Sequence, residues 1–233
     1  METRGFGASV VRVLESLGGP REQVRVGVAK DVGALNLVAI EVAGAPGLGL
    51  APGLDDSLFA HDGQITKREI RALTLSALAP RPGELLWDVG AGSGSVGIEW
   101  MLRHPACRAV AVERDAVRAA RIRLNADAFG VPALQVVQGE APEALCALPP
   151  PEAVFLGGGA HVPGVIEAAW AALRPGGRLV ANAIALRTEA VLGAARTRYG
   201  GTLMRVGLER LDSVGGMDAY RPAMTVTQWR ADK

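Results

Sequence analysis

The sequence predicts a doubly wound α/β fold: a seven-stranded, mostly parallel sheet finished by a terminal antiparallel hairpin. Three observations lead there. Leu85 to Val89 is an apolar run, glycines follow at alternate positions (Gly90, Gly92, Gly94), and a helical pattern starts at Ser95. That is a buried strand, a tight turn and a helix start. Four further strand patterns (Arg108–Val112, Leu134–Val137, Ala153–Leu156 and Arg178–Asn182) then alternate with helical ones. Last, Thr202 to Leu211 and Ala223 to Trp229 read as a hairpin pair completing the sheet.

Composition narrows the function. The 233 residues are 49% apolar with 30 glycines, as a buried parallel sheet with many turns requires. A net charge of +1 gives no electrostatic case for nucleic acid or an anionic membrane, and 4% aromatics argues against a base-stacking platform. Cys107 and Cys146 have no metal-ligand spacing and read as reduced thiols. No leader or spanning apolar run is visible, so the expectation is a cytoplasmic protein without a metal.

Taken in order, Ser9 to Leu17 has helical spacing, with Ser9 as cap and Gly18-Gly19 as stop. Val24–Val28 and Leu35–Val42 look like short strands. Between Gly44 and Ser57, six of fourteen residues are Gly or Pro, which reads as a linker. Residues 1–57 are too few elements for a core of their own and suggest the end of a preceding domain, with a second domain over 58–233. Thr66-Lys67-Arg68-Glu69 has the form of a capping box, Ile65 and Ile70 stapling the helix start. Lys67, Arg68 and Arg71 oppose the helix dipole there and suggest an anion nearby.

The glycine turn defines a ligand class. Glycines at positive φ let a ligand approach bare backbone, and helix-start N–H groups face it. Asp88 at the strand's end would repel a pyrophosphate but suits a ligand with an ammonium and hydroxyls, such as S-adenosylmethionine (AdoMet). Glu113, nineteen positions beyond Gly94, stands where an acid binds a ribose diol. Asp115 caps the next helix, with Val117, Ala120 and Leu124 on its inner face. Gly139-Glu140-Ala141 should cover the adenine, although Glu140 could equally cap a short helix over 142–147. Gly92 to Gly97 also satisfies G-x-G-x-x-G, so an NAD enzyme is the rival reading. It fits less well, because Asp88 to Ala91 intervenes between strand and motif and the terminal hairpin belongs to methyltransferases. Beyond the fourth strand, Gly157-Gly158-Gly159 lacks the Asn/Asp-Pro-Pro-aromatic tip of nucleic-acid amine methyltransferases and offers bare amides to a large carboxylated ligand. Asn182 ends the fifth strand beside the expected reaction site.

The stretches from Phe59 to Glu69 (with D-G-x-x-T-K-x-E), Trp87 to Glu99, Phe155 to Gly159 and Arg174 to Asn182 resemble the decarboxylating precorrin methyltransferases of cobalamin biosynthesis. Within that family they look like the C-terminal module of fused precorrin-6Y enzymes, over about residues 55–230. Residues 1–57 resemble the tail of the fusion's tetrapyrrole methylase domain, without that domain's own AdoMet site. The resemblance implies an AdoMet-dependent methyltransferase fold and transfer of a methyl group to meso carbon 15 of a precorrin-6-type corrinoid. It also implies decarboxylation of the ring C acetate, in a homotetramer. The implied cofactor residues are Thr66, Asp88, Gly90, Ala91, Gly92, Gly94, Ser95, Glu113, Arg114, Gly139, Glu140 and Ala141. Those for substrate are Gln64, Lys67, Arg71, Gly157, Gly158, Gly159 and Asn182, with His61 and Asn182 as catalytic candidates. Arg68, His161, Arg187 and Arg221 are further cations for substrate carboxylates. A methyltransferase for another small or macromolecular acceptor, and a non-catalytic AdoMet-binding module, are the alternatives.

Overall fold

The computed structural model describes residues 6–27, 31–44, 47–49 and 51–233. The chain divides into two compact units: Met1–Leu48 with Ala128–Gly130, and Gly49–Asp127 with Val131–Lys233.

The first unit is a three-stranded antiparallel sheet of β1 (Val10–Glu15), β2 (Gln23–Val26) and β3 (Asn36–Glu41), in the order β2-β1-β3. The helix expected over Ser9–Leu17 is therefore a strand. Val10, Val11 and Val13 are β-branched and favour extended backbone, and β1 pairs on both sides. The expected strands after it are present, the later part of Val24–Val28 lying outside the described residues.

The second unit holds the seven-stranded sheet, in the order β6-β5-β4-β7-β8-β12-β9. Its strands are β4 (Leu85–Val89), β5 (Arg108–Glu113), β6 (Gln135–Gln138), β7 (Ala153–Leu156), β8 (Arg178–Ala183), β9 (Thr202–Val206) and β12 (Val226–Asp232). β6, β5, β4, β7 and β8 are parallel; β12 runs antiparallel between β8 and β9. The order reverses beside β4, and the ends of β4 and β7 flank that switch point, where open α/β sheets bind ligands. All five β4 residues are buried.

The helices are α1 (Arg68–Leu78), α2 (Ser95–Leu102), α3 (Ala116–Ala128), α4 (Val165–Ala172) and α5 (Leu186–Tyr199). α3 turns a different face inward than its spacing suggested. Ala119, Ile122, Asn125 and Ala126 are buried, whereas Val117 and Leu124 are two-thirds exposed. Buried Asn125 explains this, because it bridges three backbone groups: its Oδ1 accepts from the Ala60 amide, and its Nδ2 donates to the carbonyls of Ala60 and Ser93. A second hairpin, β10 (Glu209–Val214) and β11 (Met217–Pro222), stands between β9 and β12 around Gly215-Gly216.

Candidate active site

The glycine turn adopts the geometry its composition demands. Gly90, Gly92 and Gly94 have φ of 69°, 60° and 75°, in the left-handed region. A Cβ on Gly90 would lie 2.8 Å from both the amide nitrogen and the carbonyl oxygen of Gly158, so Gly90 tolerates no side chain without moving backbone. On Gly94 it would meet the Ile122 Cγ2 at 2.7 Å, which seats α2 against α3.

Asp88 sits behind this turn. It is fully buried, and its Oδ2 accepts the Gly97 amide at 2.9 Å from the first turn of α2. Burial pushes its pKa up to about 7; the Gly97 hydrogen bond opposes this and the Glu113 charge adds to it. Asp88, Gly94 and Ser95, expected among the ligand contacts, do not line the cleft; Asp88 lies behind the turn, held by the Gly97 amide. The G-x-G-x-x-G match finds its cause here. A Cβ on Gly97 would stand 3.2 Å from the Asp88 Oδ2, so the third glycine makes room for a carboxylate.

In front of the turn lies a cleft of about 900 Å³. Thr66, Gly90, Ala91, Gly92, Glu113, Arg114, Gly139, Glu140 and Ala141 line it, as expected for the cofactor side, and so do Gln64, Lys67, Gly157, Gly158, Gly159 and Asn182 of the substrate side. Glu113 is buried at the tip of β5; its two oxygens accept the Gly92 amide at 2.9 Å and the Asp115 amide at 3.0 Å, one lone pair on each remaining. Glu140 pairs with Arg114 at 3.4 Å, across the same end of the cleft. A shallower hollow of about 590 Å³ between α5 and β9 holds none of the expected site residues.

Arg71 is the clearest departure. Instead of reaching substrate it is fully buried, 2.6 Å from Glu99 and 3.0 Å from Asp56, and donates to the carbonyls of Leu54 and Thr66. Glu99 also accepts the amides of Gly53 and Leu54. The pair thus ties the segment leading to the cleft wall onto α1 and α2. The capping box does not form: Lys67 is the N-cap of α1 without a side-chain cap bond, and Glu69 pairs with Arg210 on β10. His61 lies off the cleft, its Nδ1 accepting the Gly63 amide at 3.0 Å, and Arg221 pairs with Asp212 within the hairpin. The Gly157 amide donates to the Val89 carbonyl at 3.0 Å, so it closes the β4–β7 junction. His161 does line the cleft, whereas Arg68 and Arg187 do not.

Sequence reasoning missed Arg118 and Arg210, and the apolar lip of Ile184, Leu208 and Met224. Asp62 holds Arg118 at 2.9 Å and Arg121 at 3.2 Å, and the Arg118 bond keeps its carboxyl well below the usual carboxylate range. Nothing in local spacing marks these groups: Arg118 comes from α3, Ile184 from just past β8, Arg210 from β10, and Leu208 and Met224 from either side of the β10–β11 hairpin.

Residues 57–233 match the model of the precorrin methyltransferase domain. The chain belongs to that family. Over 97% of its length it is 58% identical to precorrin-6Y C(5,15)-methyltransferase [decarboxylating] of a Sinorhizobium species, and over 98% it is 46% identical to the enzyme of that name from Mycobacterium tuberculosis. It spans 56% and 60% of the lengths of these two relatives. The crystal structure of the C-terminal domain of precorrin-6Y C5,15-methyltransferase from Rhodobacter capsulatus is 45% identical, with a TM-score of 0.76 over 80% of this chain and 100% of that one. That structure thus shares the fold described above. Among the described residues no helix is long and apolar enough to cross a membrane.

Proposed function

We propose that this chain is an AdoMet-dependent C-methyltransferase of cobalamin biosynthesis. Its acceptor is a precorrin-6-type corrinoid, methylated at meso carbon 15 and decarboxylated at the ring C acetate. One observation carries the reading: a single cleft joins a bare glycine turn with a buried acid beside it to a broad mouth floored by Gly157 to Gly159 and edged by Lys67, Arg118, His161 and Arg210. The relatives' names, precorrin-6Y C(5,15)-methyltransferase [decarboxylating], support a precorrin acceptor, methylation at carbon 15 and a decarboxylation.

The residues present fit AdoMet. Gly90 and Gly92 present side-chain-free backbone to the cleft, Glu113 would take the ribose diol, and Gly139 to Ala141 would cover the adenine. When bound, AdoMet supplies an electrophilic methyl group on a sulfonium. The chain's residues do the rest by orientation and charge. Holding a nucleophilic meso carbon in line at near van der Waals contact accounts for much of the rate. Lys67, Arg118 and Arg210 would pair with carboxylates that must not react, while Ile184, Leu208 and Met224 offer the macrocycle an apolar face and keep water out. Loss of carbon dioxide leaves an electron pair that the conjugated macrocycle can accept, so it demands no dedicated acid or base from the cleft.

The same reading includes a homotetrameric, cytoplasmic enzyme and residues 1–57 as the tail of a preceding tetrapyrrole methylase domain. A compact unit ending at Leu48 and a family match beginning at residue 57 support that division. The test of function is incubation with AdoMet and a precorrin-6 substrate, followed by mass spectrometry. Gain of one methyl and loss of carbon dioxide is expected. Methylation of other acceptors with an untouched corrinoid would overturn the reading.

A further inference from the structure

Asn182 lines the cleft at the end of β8, and two buried residues hold its amide. Its Nδ2 donates to the Thr74 Oγ1 at 2.9 Å, and the Gln228 Nε2 donates both to its Oδ1 at 2.9 Å and to the Thr74 Oγ1 at 3.2 Å. Thr74 is fully buried on α1 and Gln228 is 5% exposed on β12, directly opposite Asn182 in the β8–β12 register. Three elements distant in sequence therefore meet in one polar triangle within an apolar sheet. Such groups are costly to bury unless each is satisfied.

The triangle has only one consistent polarity. Turning over one amide alone brings two oxygens or two nitrogens together between Gln228 and Asn182. Turning both leaves Thr74, with a single hydroxyl proton, facing two carbonyl oxygens. Only the arrangement above makes all three contacts hydrogen bonds. Gln228 spends both N–H groups within the triangle, and Asn182 keeps one N–H and one carbonyl lone pair in fixed positions.

We infer that Gln228 and Thr74 are positioning residues that lock Asn182 as an oriented amide donor to a carboxylate of the acceptor substrate. The inference rests on the corrinoid reading of the cleft and deepens it. Asn182 contacts substrate; Gln228 and Thr74 act through it. A fixed donor discriminates because its hydrogen bond to a charged group needs no reordering on binding, and misdirecting it forfeits that bond.

Two substitutions of Gln228 test this. Gln228→Met keeps the size and removes both donors. Gln228→Glu places an acceptor against Asn182 and reverses the triangle. Side-chain amide exchange followed by NMR should show Asn182 protected in the native chain and unprotected in Gln228→Met. The KM for the corrinoid should rise a few-fold in Gln228→Met and about tenfold in Gln228→Glu, as loss of one charge-assisted bond implies. Affinity for S-adenosylhomocysteine should stay within about twofold of the native value. Equal amide exchange in native and Gln228→Met protein would overturn the lock. An unchanged KM in both variants, or a rise in KM matched by an equal loss of S-adenosylhomocysteine affinity, would overturn the positioning role. Should the native chain turn over no corrinoid, the reading of the cleft fails, and the exchange comparison still decides whether the amide is locked.

Discussion

The two ends of the cleft are built from different material. At the glycine turn the surface is largely backbone: Gly90 and Gly92 at positive φ, the Gly158 peptide against Gly90, and the buried acid Glu113, itself held by amides. At the mouth the surface is side chain, delivered by the loop before α1, by β8 and by the β10–β11 hairpin, and tied down by pairs such as Arg71–Glu99 and Asp62–Arg118. A backbone cradle is rigid and specific for one small ligand. A side-chain mouth can be retuned for a large, many-charged one without touching the cradle.

That difference can be broken from either side. The largest effect should come from Arg71→Met, which leaves Glu99 buried without its cation. Losing one partner of a buried pair costs about 3–5 kcal/mol, so the melting temperature should drop steeply in calorimetry and the cleft wall from Gly63 to Lys67 should loosen with it. Gly90→Ala comes next. A side chain at φ of 69° costs about 1–2 kcal/mol, and the clash with Gly158 forces the turn open. S-adenosylhomocysteine affinity should fall at least about tenfold, with smaller change in overall stability.

Asp88→Asn probes the support under the cradle. The folded carboxyl titrates near 7 against an ordinary value of 3.8, so between those values the folded chain holds the extra proton and stability falls as pH rises; above 7 it levels. Each unit of the rise corresponds to about 1.4 kcal/mol. Denaturant melts of Asp88→Asn across that window should show the slope removed. The smallest effect belongs to Asp62→Ala, which frees Arg118 and Arg121 at the exposed rim. Corrinoid KM should change only a few-fold, and more at low than at high salt.

The same contrast explains what could be read from the sequence. The sheet and the cradle were legible because their causes are local: an apolar run, alternate glycines, an acid at the next strand's tip. Glu113, Gly90 and Gly92 line the cleft as their spacing implied, and all three turn glycines have the positive φ expected of them. Asp88 is expected at the ligand from its spacing, and the fold buries it behind the turn on the Gly97 amide, a distinction that spacing does not carry. Arg71 looked like an anion trap because its partners lie fifteen and twenty-eight positions away, on segments that only the fold brings together. β1 was misread because its apolar residues also fit a helix, and pairing on both edges decided the matter. Thr66-to-Glu69 had a local motif that lost to a distant partner, Arg210. The β10–β11 hairpin did carry a signal, Gly215-Gly216 between extended runs, that a single long strand pattern concealed.

Calorimetric titration of the intact chain with S-adenosylhomocysteine and, separately, with NADH tests the central claim most directly. The account predicts saturable binding of one S-adenosylhomocysteine per chain and no heat from NADH. Tight NADH binding, or a cleft that takes up neither, would contradict it.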